Sequence, residues 1–203
     1  MDDTFYTIAQ VSEAVHKQKG SKFMAFAHHI ESEPEARQLL DSYRKNAQFK
    51  GACHFCYAYS LGFTKKITKA SDDGEPSGTA GKPILNQIES FKLSNIIVIV
   101  VRFFGGTLLG TSGLILAYKQ ASIDCLQQAV RQEIILRNPV KMEFDYKLQS
   151  EIDRVLVKYN IIFDKKLFEE KVSYLIQVKR NEQDNLIKQL EELPFYKQLN
   201  IQQ

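Results

Sequence analysis

Seven of the ten glycines in this 203-residue chain fall between Gly74 and Gly113. They lie in two segments, Ser71-Asp-Asp-Gly-Glu-Pro-Ser-Gly-Thr-Ala-Gly-Lys-Pro83 and Phe103-Phe-Gly-Gly-Thr-Leu-Leu-Gly-Thr-Ser-Gly113, on either side of an apolar run. Glycine costs the folded state backbone entropy, and it is kept where φ must be positive or where the backbone must approach something closely. Two such loops around one strand predict a binding surface made of peptide N–H groups.

The run between them, Ile96-Ile-Val-Ile-Val-Val101, is β-branched and shows no polar alternation. It predicts a central strand covered on both faces, whose carboxyl end delivers Arg102 and the second loop. Beyond that loop Leu114, Ala117, Tyr118, Ala121 and Cys125 recur at three- and four-residue steps, so a helix is expected to about Arg131, with Thr111 and Ser112 as caps. Strand, glycine loop and helix together form an anion-binding arrangement. Gly105, Gly110 and Ser112 have the spacing of a nucleotide P-loop, but Thr111 stands where that loop carries its lysine. ATP or GTP hydrolysis of that type is therefore not expected. The backbone amides remain, with the hydroxyls of Thr107, Thr111 and Ser112, as a nest for a phosphate or carboxylate. In the first loop Asp72, Asp73 and Glu75 sit among Ser71, Ser77, Thr79 and Lys82. Such carboxylates suit magnesium or acid–base work, and equally a solvated turn.

Upstream, Phe23 to Ala27 reads as a strand after a basic lead-in of Lys17, Lys19 and Lys22. Ser32 and Glu35 form a capping box with Pro34 in the first turn, and Ala36, Leu39, Leu40, Tyr43 and Ala47 follow at helical spacing. Cys53 to Leu61 reads as a strand, with His54, Cys56 and Ala58 on one face and Tyr57 and Tyr59 on the other. Cys53 and Cys56 then point apart, which defeats metal chelation. His54 stays a candidate site residue because histidine titrates near neutrality. Ile84 to Phe91 has helical spacing, and Asn138-Pro139 marks a boundary between residues 1 to 137 and 138 to 203. In the second part a strand (140 to 148), a helix through Ile152, Val155, Leu156 and Tyr159, a hairpin (161 to 168 and 172 to 178), a helix (186 to 193) and a short strand near 196 to 201 fit a ferredoxin-like α+β module.

A net charge of +3 means that nucleic-acid affinity must come from local clusters of charge. Three cysteines suit a reducing compartment better than a disulfide scaffold. The opening Met-Asp-Asp-Thr-Phe-Tyr has acid where a secretory signal has lysine, and no apolar stretch nears the roughly 20 residues that span a bilayer. A cytoplasmic protein without a membrane contact is expected.

The segments Ser71 to Leu85 and Val101 to Leu114, together with Ala52-Cys-His-Phe-Cys-Tyr-Ala-Tyr59, resemble the signature of the YigZ/IMPACT family over about residues 17 to 130. The resemblance implies an α+β chain: an N-terminal ribosomal-protein/RNase PH-like domain with a left-handed βαβ crossover, then a ferredoxin-like domain. It also implies a role in translation. Eukaryotic relatives regulate through an extra N-terminal protein-binding domain that this sequence does not show, so their kinase-pathway role is not transferred. Leu108 stands where the family usually has lysine, Phe104 where it has tyrosine, Leu116 where it has arginine, and Phe55 replaces a polar residue beside His54. The leading expectation is a translation-linked regulatory or binding protein holding a phosphate-bearing ligand, RNA or ribosome-associated. Its ligand residues would be Ser71, Gly74, Ser77, Gly78, Thr79, Gly81, Lys82, Arg102, Gly105, Gly106, Thr107, Gly110, Thr111, Ser112 and Gly113. The alternatives are a magnesium-dependent phosphotransferase or hydrolase using Asp72, Asp73 and Glu75 with His54, and a module that binds a protein partner through residues 140 to 203.

Overall fold

The computed structural model describes residues 3–196 and 199–202. Phe5–Ile134 forms one compact unit, and the chain from Ile135 onward joins Asp3 and Thr4 in another. The first unit runs β1 (Thr4–Ile8), β2 (Ser12–Gln18), β3 (Ser21–His29), α1 (Glu33–Lys45), β4 (His54–Leu61), β5 (Ile67–Ser71), α2 (Gly81–Ser90), β6 (Ile96–Phe103), α3 (Gly110–Gln128) and β7 (Arg131–Ile135). Its main sheet has the order β2-β3-β6-β4-β5, antiparallel at every pairing, and β1 pairs separately with β7.

β6 is the axis of this unit, as its β-branched run predicts. Ile96, Val98 and Val100 pack with Ile84, Ile88, Ala117 and Tyr118 of α2 and α3, and Ile97, Ile99 and Val101 pack with Ala36 and Leu40 of α1. All six are fully buried. At about 1.5–3 kcal/mol for each aliphatic side chain removed from water, this strand contributes much of the unit's stability. α1 starts where expected: the Glu35 amide donates to Ser32 Oγ at 3.3 Å. The Glu35 carboxylate accepts from the Glu31 amide at 2.7 Å, one residue before the cap. Ala47 falls outside the helix, in a 3-10 turn over Ala47–Phe49.

Several elements differ from expectation. The basic lead-in is the β2–β3 hairpin, with Lys17 opposite Lys22 and a turn at Lys19 and Gly20 that takes positive φ at both positions. β5 is an edge strand, mostly exposed and polar, and it includes Ser71, which by sequence opens the first glycine loop. α3 stops at Gln128, and the chain turns into β7 before reaching Arg131 as a helix. Thr111 and Ser112 lie inside the first turn of α3, with Leu109 at the cap position.

The second unit runs β8 (Arg137–Phe144), α4 (Gln149–Leu156), β9 (Ile162–Phe168), β10 (Val172–Lys179), α5 (Gln183–Glu191) and β11 (Asn200–Gln202). Its antiparallel sheet has the order β11-β8-β10-β9. Val140, Met142 and Phe144 join Val172, Tyr174, Ile176 and Val178, together with Ile152, Leu156, Leu186 and Leu190, in its core. Pro139 is a strand residue of β8, shortly after the division of the chain at Ile135. Among the described residues β11 pairs with β8 only over Lys141–Glu143, so Pro139 lies outside that pairing, where a missing N–H is tolerated. Tyr146–Leu148, expected within the first strand, forms a 3-10 turn. Of the strand expected at 196 to 201, the last part lies in β11, and residues 197 and 198 fall outside the described residues.

Candidate functional site

Arg102 occupies the carboxyl end of β6, opposite His54 of β4, and is only 6% exposed. A buried guanidinium needs a partner and further hydrogen bonds to offset its desolvation. Its Nη1 donates to Glu75 Oε1 at 2.5 Å, and the Tyr118 hydroxyl from α3 donates to the same oxygen at 2.8 Å. His54 Nδ1 donates to the Asp73 carbonyl at 2.8 Å, which leaves Nε2 3.9 Å from Glu75 Oε1. Cys56 Sγ lies 3.0 Å from the Asp72 carbonyl and 3.2 Å from Tyr118 Oη. Burial pushes the Tyr118 hydroxyl up, and the neighbouring Cys56 and Glu75 add to the effect. Burial likewise pushes the Cys56 thiol up, against a partly offsetting hydrogen bond with Tyr118. Both stay protonated at neutral pH, so Cys56 is a packed residue and not a nucleophile.

Above this network lies a cavity of about 430 Å³ lined by Cys53, His54, Glu75, Pro76, Arg102, Phe104, Leu108, Leu109, Gly110, Thr111 and Leu114. Its lining combines a charged pair with a mostly apolar surface and the first turn of α3. Leu109 at the cap position offers no side-chain acceptor and, among the described residues, no side chain accepts from the amides of Gly110 to Gly113; the first four amides of a helix have no acceptor within it. The dipole of this 19-residue helix adds a positive field at the same place. Among the described residues Arg102 Nη2 and Nε make no hydrogen bond, and Nε is fully enclosed.

The first glycine loop is organised differently. Asp72 accepts from the amides of Gly78 at 2.8 Å, Ala80 at 2.9 Å and Gly81 at 2.8 Å, and so caps α2 from upstream. Burial works against its charged form, but the three N–H donors outweigh it and hold the carboxyl below the usual carboxylate range. Asp73 accepts from Arg44 at 2.6 Å and from the Phe55 amide at 2.7 Å. Thr79 Oγ1 donates to the Pro76 carbonyl at 2.6 Å. Asp72, Asp73 and Glu75 thus point to three different sets of partners and do not converge as magnesium ligands. Among the described residues no group of three or more His, Cys, Asp or Glu is placed to hold a metal ion.

Of the expected site residues, the cavity brings together His54, Glu75, Arg102, Gly110 and Thr111. Gly106, Thr107, Ser112 and Gly113 lie beside it without lining it. Ser71, Gly74, Ser77, Gly78, Thr79, Gly81 and Lys82 belong to the first loop and do not line it either, and the amides of Gly78 and Gly81 are already taken. Gly81 and Gly105 serve close approaches of the chain to itself. A Cβ at Gly81 would lie 2.5 Å from the Ser71 nitrogen, and one at Gly105 would lie 1.9 Å from the Gly20 carbonyl carbon. Sequence reasoning missed Cys53, Pro76, Phe104, Leu108, Leu109 and Leu114 as lining, and Tyr118 as the partner of Glu75. Leu114 and Tyr118 are legible as a helical stripe, but the spacing carries no sign of where the hydroxyl points.

The profile of the Impact N-terminal domain matches residues 19–126. IMPACT family member YvyE of Bacillus subtilis is 30% identical over 179 residues, covering 88% of this chain and 82% of the relative. IMPACT family member YigZ of Escherichia coli is 33% identical over 144 residues, 70% of each chain. A crystal structure of a hypothetical protein superposes with a TM-score of 0.68 at 26% identity, over 99% of this chain and 97% of that one.

Proposed function

The chain belongs to the IMPACT family, and we propose that it is a cytoplasmic, translation-linked regulatory or binding protein that holds a phosphate-bearing ligand, RNA or ribosome-associated, at the second glycine loop. One observation carries this reading: the uncapped start of α3 and the buried Arg102 line the same cavity. Helix amides and a guanidinium are both suited to phosphate oxygens. This reading centres on the second loop because Asp72 engages the amides of Gly78, Ala80 and Gly81 in the first. The translational part of the reading rests on the family resemblance. Free thiols at Cys53, Cys56 and Cys125 suit a reducing compartment, and among the described residues no helix is long and apolar enough to cross a membrane.

The same reading extends to the folds of the two units. β3 and β4 flank β6, run parallel to each other and are joined through α1, which supports a ribosomal-protein/RNase PH-like βαβ unit. The order β11-β8-β10-β9, with α4 between β8 and β9 and α5 between β10 and β11, supports a ferredoxin-like second unit.

Binding of the purified protein to single-stranded and structured RNA at two salt concentrations tests the function. Leu108 and Leu116 add no charge here, so one or two phosphate contacts are expected and the salt slope on single strands is shallow, roughly −0.7 per contact. Absent or salt-insensitive binding at micromolar protein contradicts the proposal.

A further inference from the structure

We infer that the cavity beside α3 is a nucleobase subsite, taking one unpaired base with the amino group of adenine or cytosine. This rests on the phosphate reading of the second loop and adds to it what sits next to the phosphate. Phe104 is 48% exposed although it lines the cavity, and the Arg102 guanidinium carbon lies 5.8 Å from its ring centroid. Splayed bases stack on aromatic rings and on guanidinium planes. Pro76, Leu108 and Leu114 provide more apolar lining, and about 430 Å³ falls within the roughly 300–1,000 Å³ of small-ligand sites.

Glu75 supplies the discrimination. Its Oε1 is occupied by Arg102 and Tyr118, whereas Oε2 has no hydrogen-bond partner among the described residues. A carboxylate oxygen paired to a guanidinium accepts and does not donate. It therefore suits the amino group of adenine or cytosine and meets a carbonyl when guanine or uracil is bound in the same orientation. The α3 amides beside Gly110 and Thr111 stand in the same lining, so base and phosphate of one nucleotide are accommodated together. The nucleotide is either free or an unstacked residue of an RNA.

The test is calorimetric titration of the full chain with CMP, AMP, GMP, UMP, cytidine and ribose 5-phosphate, repeated with Phe104→Ala and Glu75→Gln. CMP and AMP are expected to bind about tenfold more tightly than UMP and GMP, as one hydrogen bond to a charged group implies. Phe104→Ala should weaken every nucleotide about tenfold through lost stacking and leave ribose 5-phosphate unchanged. Glu75→Gln should erase the preference for CMP over UMP, and if that variant does not fold, the half-exposed Phe104 decides alone. Equal binding of CMP and UMP, or an inert Phe104→Ala, overturns the subsite. Ribose 5-phosphate binding as tightly as the nucleotides also overturns it while leaving the phosphate reading intact. Cytidine matching CMP does the reverse, and no binding by any compound overturns both. A single-stranded oligocytidylate that binds more tightly than CMP identifies RNA as the source, and equal affinity identifies the free nucleotide.

Discussion

In the first glycine loop the amides of Gly78, Ala80 and Gly81 converge on the Asp72 carboxylate, whereas in the second α3 begins at Gly110 with, among the described residues, no side chain on its amides. Each loop leads into a helix, and each helix start attracts negative charge for the same reason. The first is satisfied from within the chain; the second has Arg102 as its neighbour and a cavity in front of it. Glycine content therefore says little about ligand binding by itself. What separates the loops is whether an acid of the chain reaches the amides.

The sharpest way to break this comparison is Gly105→Ala. Its Cβ would meet Gly20 carbon at 1.9 Å and Ser21 nitrogen at 2.2 Å, both backbone atoms that cannot swing aside. A loss of about 3 kcal/mol or more is expected in urea unfolding followed by circular dichroism. Gly106→Ala, one residue on, meets nothing within 4 Å and has only its φ of +84° to strain, so about 1–2 kcal/mol is expected. Equal losses at the two positions would show that the second loop does not pack on the β2–β3 turn.

Next in size is the self-capped helix. Asp72→Asn should cost about 1–2 kcal/mol at pH 7, because it removes the charge and turns one of the two accepting oxygens into a donor that faces a backbone N–H. Its folded pKa lies below the unfolded value, so its contribution is complete above the unfolded pKa and disappears as pH falls through the folded one. The difference between wild type and Asp72→Asn in urea midpoint should then be wide at neutral pH and close below about pH 4. A gap that stays constant with pH would remove the charge from the explanation.

Thr111→Asp probes the second loop, because it supplies an exposed acid to the first turn that α3 lacks. Stability should rise by about 0.5 kcal/mol while RNA binding falls. Both moving down together would assign Thr111 a packing role. The smallest effect is expected at the Arg44–Asp73 pair, where the Arg44 side chain is 42% exposed. Arg44→Ala should cost no more than about 1 kcal/mol in the same urea assay.

Legibility in the sequence follows what leaves a periodic trace. β6 has no polar position until Arg102 and is read directly, and β10 alternates buried and partly exposed residues along its length. β5 leaves no such trace, because an exposed edge strand of Thr68, Lys69 and Ala70 has no core face to pattern. The Asp72 cap spans nine residues to Gly81 across a turn, and no periodicity marks it. Glu75 is indistinguishable in sequence from its acidic neighbours, although it alone of the three is buried against Arg102. The second loop is legible between β6 and α3 because a strand end, glycines and a helix stripe are each local signals. The apolar lining leaves no such signal, since Leu108 and Phe104 are exposed loop residues that differ from others only in standing at the cavity.

The most direct measurement is an NMR titration of the ¹⁵N-labelled protein with inorganic phosphate, following individual backbone amides. The account predicts saturating shifts at Gly110, Thr111 and Ser112, with Gly78, Ala80 and Gly81 unmoved because Asp72 holds them. Shifts at Gly78 and Gly81 with none at Gly110 to Ser112 would contradict it.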